Sequence, residues 1–273
     1  MRTKSILSAI VPFVLTASPL VARAQLGASL PGTWRISGGW LNNAATTTIR
    51  LDSPLLGRGT TINLEDELGF ASNTGSVFAG VNWHFATKHY LELSYNDIDR
   101  TSTKTINRQL VWGDQTYAAN AKIGARFSTR FVTLAYKYAL YRSEGFEVGP
   151  SVAIPILTAT VGAGVELPSG TVQKAKKDVT VPPPLPGVYF SARLHPKFYL
   201  QGSADYMKVA LFGVTADMTD YRLAGVWLPT THVGGGLAWS GNNFSISGSK
   251  ANILAGKITY GVTGPSLFIT VRP

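Results

Sequence analysis

The stretch WHFATKHYLELSY, Trp83 to Tyr95, holds two alternating runs either side of a three-residue gap. From Ser76 to Phe85 one face collects Val77, Ala79, Val81, Trp83 and Phe85, and the other Ser76, Gly80, Asn82 and His84. After Ala86, Thr87 and Lys88 the alternation resumes, with Leu91, Leu93 and Tyr95 opposite Glu92, Ser94 and Asn96. Period two marks a strand with one apolar face, and the spacing predicts a hairpin. A hairpin of this kind fits a soluble sandwich, a lipocalin-like barrel, or a barrel that faces lipid outward and water inward. The remainder of the chain has to discriminate.

Working outward, the same unit recurs. Val132, Leu134, Tyr136, Tyr138 and Leu140 share a face, the chain turns at Arg142 to Gly145, and Phe146, Val148, Val152 and Ile154 follow. Two more hairpins centre on His195-Pro196-Lys197 and on Pro229 to Thr231, which makes four tight turns between alternating strands. The connections between hairpins read as longer and more polar: Asn42 to Asn73, Asp99 to Ala125, Gly162 to Leu185, Phe212 to Asp220, and Asn243 to Leu254. Short turns alternating with long loops are the pattern of a transmembrane barrel. With a first strand near Thr33 to Trp40 and a last near Gly256 to Val271, the expectation is an all-β, antiparallel up-and-down barrel of about ten strands, within a range of eight to twelve. Pro150 and Pro155 each remove a ladder donor from the fifth strand and predict a bulge or strained pairing there.

The polarity of the two faces decides between barrel types. Outward positions are nearly all apolar, whereas the alternate positions carry Arg35, Glu92, Lys137, Glu147, Arg193, Asp205 and Arg222. Buried in a soluble core, seven charges would be very costly; in a wet lumen they can be hydrated or paired. Arg35, Glu92, Glu147 and Arg193 fall in a layer near the turns, and Lys137, Asp205 and Arg222 in one above it. The near balance of sign predicts that the network fills and stiffens a narrow barrel rather than selecting ions. Trp34, Trp83, Phe85, Tyr138, Phe146, Phe198 and Trp227 sit near the turns, where an aromatic girdle belongs.

The ends agree with export. Arg2 and Lys4 precede the apolar ILSAIVPFVL, and Ala22 and Ala24 form an A-x-A cleavage site, so residues 1–24 read as a signal peptide and 25–273 as one barrel domain. Removing the leader leaves 22 basic and 15 acidic residues, +7 formally. An exported basic chain makes nucleic acid an unexpected partner and the phosphates of lipopolysaccharide an expected one. The basic loop residues Arg100, Lys104 and Arg108, with Lys174, Lys176 and Lys177, are the candidate polyanion contacts. The chain has no cysteine, which excludes disulfides, thiolate metal sites and thiol nucleophiles.

Together with the segments LDSP, GTTINLEDELGF and KHYLELSYNDI, this shape resembles small outer-membrane β-barrel proteins of Gram-negative bacteria, many of unassigned function. The resemblance implies an outer-membrane location, insertion by the outer-membrane assembly machinery, and lipopolysaccharide as a neighbour. The chain departs from that group in ending LFITVRP, with Phe268 the nearest aromatic to a terminus that is usually aromatic.

Chemical motifs are sparse. Asp97-Ile98-Asp99 superficially matches the acidic pair of omptin-like proteases, but no Asp-x-His answers it. His84, His89, His195 and His232 cluster near the short turns, away from a surface substrate, which also counts against a lipid A deacylase. Ser247-Gly248-Ser249-Lys250 matches S-x-x-K outside the helical turn that motif needs. The carboxylates of NLEDEL, Asn63 to Leu68, could attract Ca²⁺ but lack EF-hand spacing and read as a solvated acidic loop. No catalytic, cofactor or metal site is expected. The expectation is a structural or surface-interacting envelope protein, with a small-solute channel as the alternative and a surface hydrolase behind both.

Overall fold

The computed structural model describes residues 33–112, 114–166, 172–181, 184–211, 213–250 and 254–273, with the backbone alone for 172–181. Ten long strands form one closed ring: β1 (Trp34–Leu51), β2 (Asn73–Ala86), β3 (His89–Thr105), β4 (Lys122–Tyr138), β5 (Phe146–Glu166), β6 (Leu185–His195), β7 (Phe198–Leu211), β8 (Val214–Trp227), β9 (Val233–Lys250) and β10 (Leu254–Val271). Each pairs antiparallel with its sequence neighbours, and β10 closes on β1 over Ile36–Leu51. The register fixes the shear. One row of partners runs from Thr33 through His84, Tyr90, Lys137, Ser151, Gly187, Asp205, Asp220, Asn242 and Val262, and returns to β1 at Ala45, twelve residues higher. Such a stagger tilts the strands, as barrel closure requires.

The four short turns lie at the end that also holds Trp34 and Val271. The opposite end departs from the sequence expectation, because the strands run far into the segments read as loops. β1 continues to Leu51, β3 to Thr105 and β5 to Glu166, while Phe212–Asp220 and Asn243–Leu254 fall mostly within β8, β9 and β10. The bulge expected at Pro150 and Pro155 is not seen: among the described residues the pairings of β5 pass both prolines without a shift. Pro150 is tolerated because it lies just beyond the last β4 pair, Lys137 with Ser151, where no donor is needed.

The long strands reverse polarity halfway up. Near the turns, outward residues such as Ile36, Trp40, Leu93, Leu134, Ile154, Leu237, Leu267 and Ile269 are exposed apolar side chains, a belt suited to lipid. Higher up, the outward set on β1 becomes Ala44, Thr46, Thr48 and Arg50, while Ala45, Ile49 and Leu51 point in and are buried. The same switch puts Asp97 and Asp99 outside and Ile98 inside on β3. The upper barrel is therefore built like a soluble protein, with Ile98, Ile123, Phe127, Phe244, Ile246, Ile258 and Tyr260 in its core.

A short helix, α1 (Leu64–Leu68), completes that core from the loop between β1 and β2. Asn63 caps it by accepting from Asp66 N at 3.0 Å, Glu67 returns to Asn63 N at 3.1 Å, and Gly69 stops it in the left-handed region at φ 72°. Ile62, Leu64, Leu68 and Phe70 are almost fully buried. Burial at about 1.5–3 kcal/mol for each large side chain makes this segment a seated plug rather than a free loop.

Candidate functional site

The plug roofs a polar lumen. Below it, inward side chains from β1 through β10 line two cavities of about 180 and 220 Å³. The lower is bordered by Arg35, Asn82, His84, Glu92, Glu147 and Arg222, and the upper by Glu92, Lys137, Asp205, Asp220, Arg222 and a wall of Leu41, Ile98, Phe131 and Leu185. Arg193 occupies an inward position in register with Tyr199, close to the turns.

The charges are satisfied in small groups. Lys137 Nζ lies 2.6 Å from Glu92 Oε2, so the two layers expected from sequence merge: strand tilt brings an upper lysine beside a lower carboxylate. Glu147 accepts from Tyr90 Oη at 2.7 Å and Tyr189 Oη at 3.0 Å, with Arg142 Nε at 3.3 Å. Asp205 accepts from Ser151 Oγ at 2.9 Å. Asp220, which was read as the end of a loop, is the register partner of Asp205 and accepts from Asn242 Nδ2 at 3.0 Å. Its presence on this face was legible from Arg222, two residues on. Arg222 lies over the rings of Phe78 and Phe268 at 5.6 and 5.1 Å. Phe268 therefore points into the barrel, and the outward residues of the last strand are Leu267, Ile269 and Val271.

The charges share the interior with apolar clusters: α1 and the large core fill the loop end, and a smaller group of Tyr199, Val226, Leu228 and Phe268 lies toward the turns. At the loop end the anchor is Arg100. Expected on the outer surface as a polyanion contact, Arg100 is instead 5 % exposed inside the barrel, because it shares the inward parity of Ile98 on β3. Its Nη1 donates to Glu65 Oε1 of α1 at 2.6 Å, its Nη2 to Thr47 Oγ1, and its guanidinium lies 5.3–5.8 Å from the ring centres of Phe70, Phe127 and Tyr260. Glu65 also accepts from Thr47 N at 2.7 Å.

Two more expected polyanion contacts are engaged by the same plug. Lys104 Nζ donates to Asp66 O at 2.6 Å, and Arg108 pairs with Glu67 at 2.5 Å. The carboxylates of Glu65 and Glu67 in NLEDEL are thus bound up in plug contacts, while Asp66 is exposed and offers Lys104 its main-chain oxygen. The side chains of Lys174, Lys176 and Lys177 and the whole leader lie outside the described residues.

The girdle candidates all lie on the outer wall toward the turn end. Trp34 stacks on Trp83 at 4.9 Å, Trp83 meets Phe85 at 5.2 Å, Tyr138 lies 5.2 Å from the ring of His89, and Phe198 is in register with Trp227. Phe146 stacks on Phe190 at 6.4 Å. The four histidines lie at this same end, and His89 Nδ1 is 2.6 Å from Tyr136 Oη. Asp97 and Asp99 face outward at the other end, beside Arg130 and Arg126 of β4.

No known family profile and no curated protein matches the chain. Among solved structures, the translocator domain of the autotransporter NalP from Neisseria meningitidis is 11% identical, covering 88% of this chain and 89% of that one at a TM-score of 0.45. Ail, the attachment invasion locus protein of Yersinia pestis, solved with the heparin analogue sucrose octasulfate, is 11% identical over 86% and 97% at 0.36. The outer membrane protein OprG from Pseudomonas aeruginosa is 11% identical over 89% and 97% at 0.34.

Proposed function

We propose that the protein is an integral outer-membrane barrel with a sealed outer end, acting at the cell surface rather than as an open diffusion pore. The observation that carries this reading is the plug: α1 seated in the upper apolar core by the buried Arg100–Glu65 pair. An open pore needs a continuous wet path, and the apolar core interrupts it. The exposed apolar belt and the rings of Trp34, Trp83 and Trp227 suit a bilayer and its interface. Insertion by the outer-membrane assembly machinery follows from that placement. Above the belt, exposed Lys257 supplies positive charge where lipopolysaccharide phosphates would sit, and Arg126 and Arg130, beside Asp99 and Asp97, add exposed guanidiniums that can share a phosphate. Catalysis has little support: Asp97 and Asp99 each sit beside an arginine, with the histidines at the far end.

Conductance of the purified protein in planar bilayers tests the reading. The expected trace has no steady steps; regular ohmic steps in the intact protein would establish the channel instead.

A further inference from the structure

The two cavities of the lumen meet at a waist: Phe78, Glu92, Ser94, Lys137, Ser203 and Arg222 border both of them. Arg222 is the odd member of this set. Its guanidinium lies 5.6 and 5.1 Å from the ring centres of Phe78 and Phe268, which form an edge-to-face pair. Rings hold a cation in place but offer no oxygen, so its five N–H donors still need acceptors. Among the described residues Arg222 makes no hydrogen bond and no ion pair. The hydroxyls of Ser94 and of Ser203, its register partner on β7, are likewise without a partner there. None of these polar atoms is walled off, and the space they face is the lumen.

The carboxylates nearby are answered by other donors. Lys137 Nζ holds Glu92, Arg142 Nε holds Glu147, Ser151 Oγ holds Asp205 and Asn242 Nδ2 holds Asp220. The two cavities nevertheless differ in sign. Arg35, Lys137 and Arg222 border the lower one against Glu92 and Glu147, whereas the upper one has Asp205 and Asp220 in place of Arg35 and Glu147. An anion that meets Arg222 is therefore favoured on its lower, turn-side face. Beside that face the buried side chains of Val226 and Phe268 give an apolar wall. A space of about 180 Å³ is below the range of drug-sized ligands and suits a guest of few heavy atoms. A second negative charge on the guest would face Glu92 and Glu147, so the site suits a single one.

We propose that the lower cavity binds a small organic monocarboxylate, its two oxygens on the planar N–H edge of Arg222 with the Ser94 and Ser203 hydroxyls beside them, and its short carbon chain against Phe78, Val226 and Phe268. A guanidinium fixed by rings and left with its donors open is the arrangement that bidentate carboxylate recognition needs. The site lies below the plug and makes no use of it, so the assignment goes beyond the sealed outer end and does not depend on it.

The test is a titration of the ¹⁵N-labelled, micelle-reconstituted protein with sodium propionate, and separately with propionamide, which has the same shape and no charge, in excess chloride. Binding is read by NMR at the Arg222 Nε–H signal and at the side-chain amides of Asn82 and Gln201, which border the same cavity. The expected result is a saturable shift at all three with propionate and none with propionamide. Arg222→Gln, followed at the two amides, is expected to weaken propionate binding at least tenfold, the effect of losing hydrogen bonds to a charged group. Ser203→Val, which removes one hydroxyl and leaves the guanidinium, is expected to weaken it about threefold, and it decides the matter if Arg222→Gln does not fold. Absence of a saturable shift in the parent, equal affinity for propionamide, or parental affinity in the variants that fold would overturn the site. Steady conductance steps in planar bilayers would overturn the sealed outer end and leave this titration unchanged.

Discussion

Replacing Arg100 with alanine should unseat the plug. The Arg100 and Glu65 side chains are only 3% and 10% exposed, and the guanidinium also donates to Thr47. Removing one partner of such a pair strands the other, here the Glu65 carboxylate with Thr47 N as its remaining donor, at a cost of about 3–5 kcal/mol. The loss falls on the segment that Arg100 anchors, so it should appear as local opening rather than global unfolding. Hydrogen-exchange protection over Ile62 to Phe70 is expected to fall by about two to four orders of magnitude, since about 1.4 kcal/mol is a factor of ten. In planar bilayers the variant should show intermittent conductance where the parent shows none. Arg100→Met combined with Glu65→Gln should regain much of the protection, because an apolar replacement of both charges leaves none unpaired. If Arg100→Ala kept the parent's protection and stayed closed, the pair would not be the anchor and the apolar contacts of α1 alone would hold the roof.

The exposed counterpart gives a contrast: Arg108→Ala, at a pair 48% and 28% exposed, should change plug protection by less than about 1 kcal/mol in the same exchange experiment. Trp83→Ala removes a ring stacked between Trp34 and Phe85, and should lower the temperature at which the unboiled, fast-migrating band is lost on gels, as expected for about 1–3 kcal/mol of lost burial and stacking. Asp52, in the loop after β1, is pushed up by burial, but hydrogen bonds from Arg50 and Gly59 N outweigh that and hold its carboxyl below the usual range. The bracket it forms contributes stability above the ordinary carboxylate pKa and loses it as pH falls through the lowered value, so proteolytic nicking near Gly57 should rise only in that acidic window and be independent of pH in Asp52→Asn. Boiling-dependent gel mobility of the membrane-extracted protein checks the closed barrel itself; a soluble protein with no shift would contradict it.

Much of this molecule was legible in its sequence. The alternation around Trp83 to Tyr95, its three recurrences and the two flanking strands specify ten strands, four tight turns at one end and an apolar outer belt, because period-two patterning is local and each hairpin carries its own register. The inward charges on the lower halves, Glu92 and Lys137 among them, followed from the same parity. The upper halves were not legible, since in Ala44 to Leu51 the apolar and polar faces exchange and the Thr-rich outer face resembles a loop. A two-residue period defines two faces without saying which one meets water. That choice depends on height in the wall, and height depends on the twelve-residue stagger that only ring closure sets. Closure also brought Glu65 to Arg100, thirty-five residues apart. The sequence by itself thus determined the strands and the lipid-facing belt; the tertiary structure alone decided the plug and the merged charge groups, because each arises from contacts between segments whose distance along the chain carries no trace of their meeting.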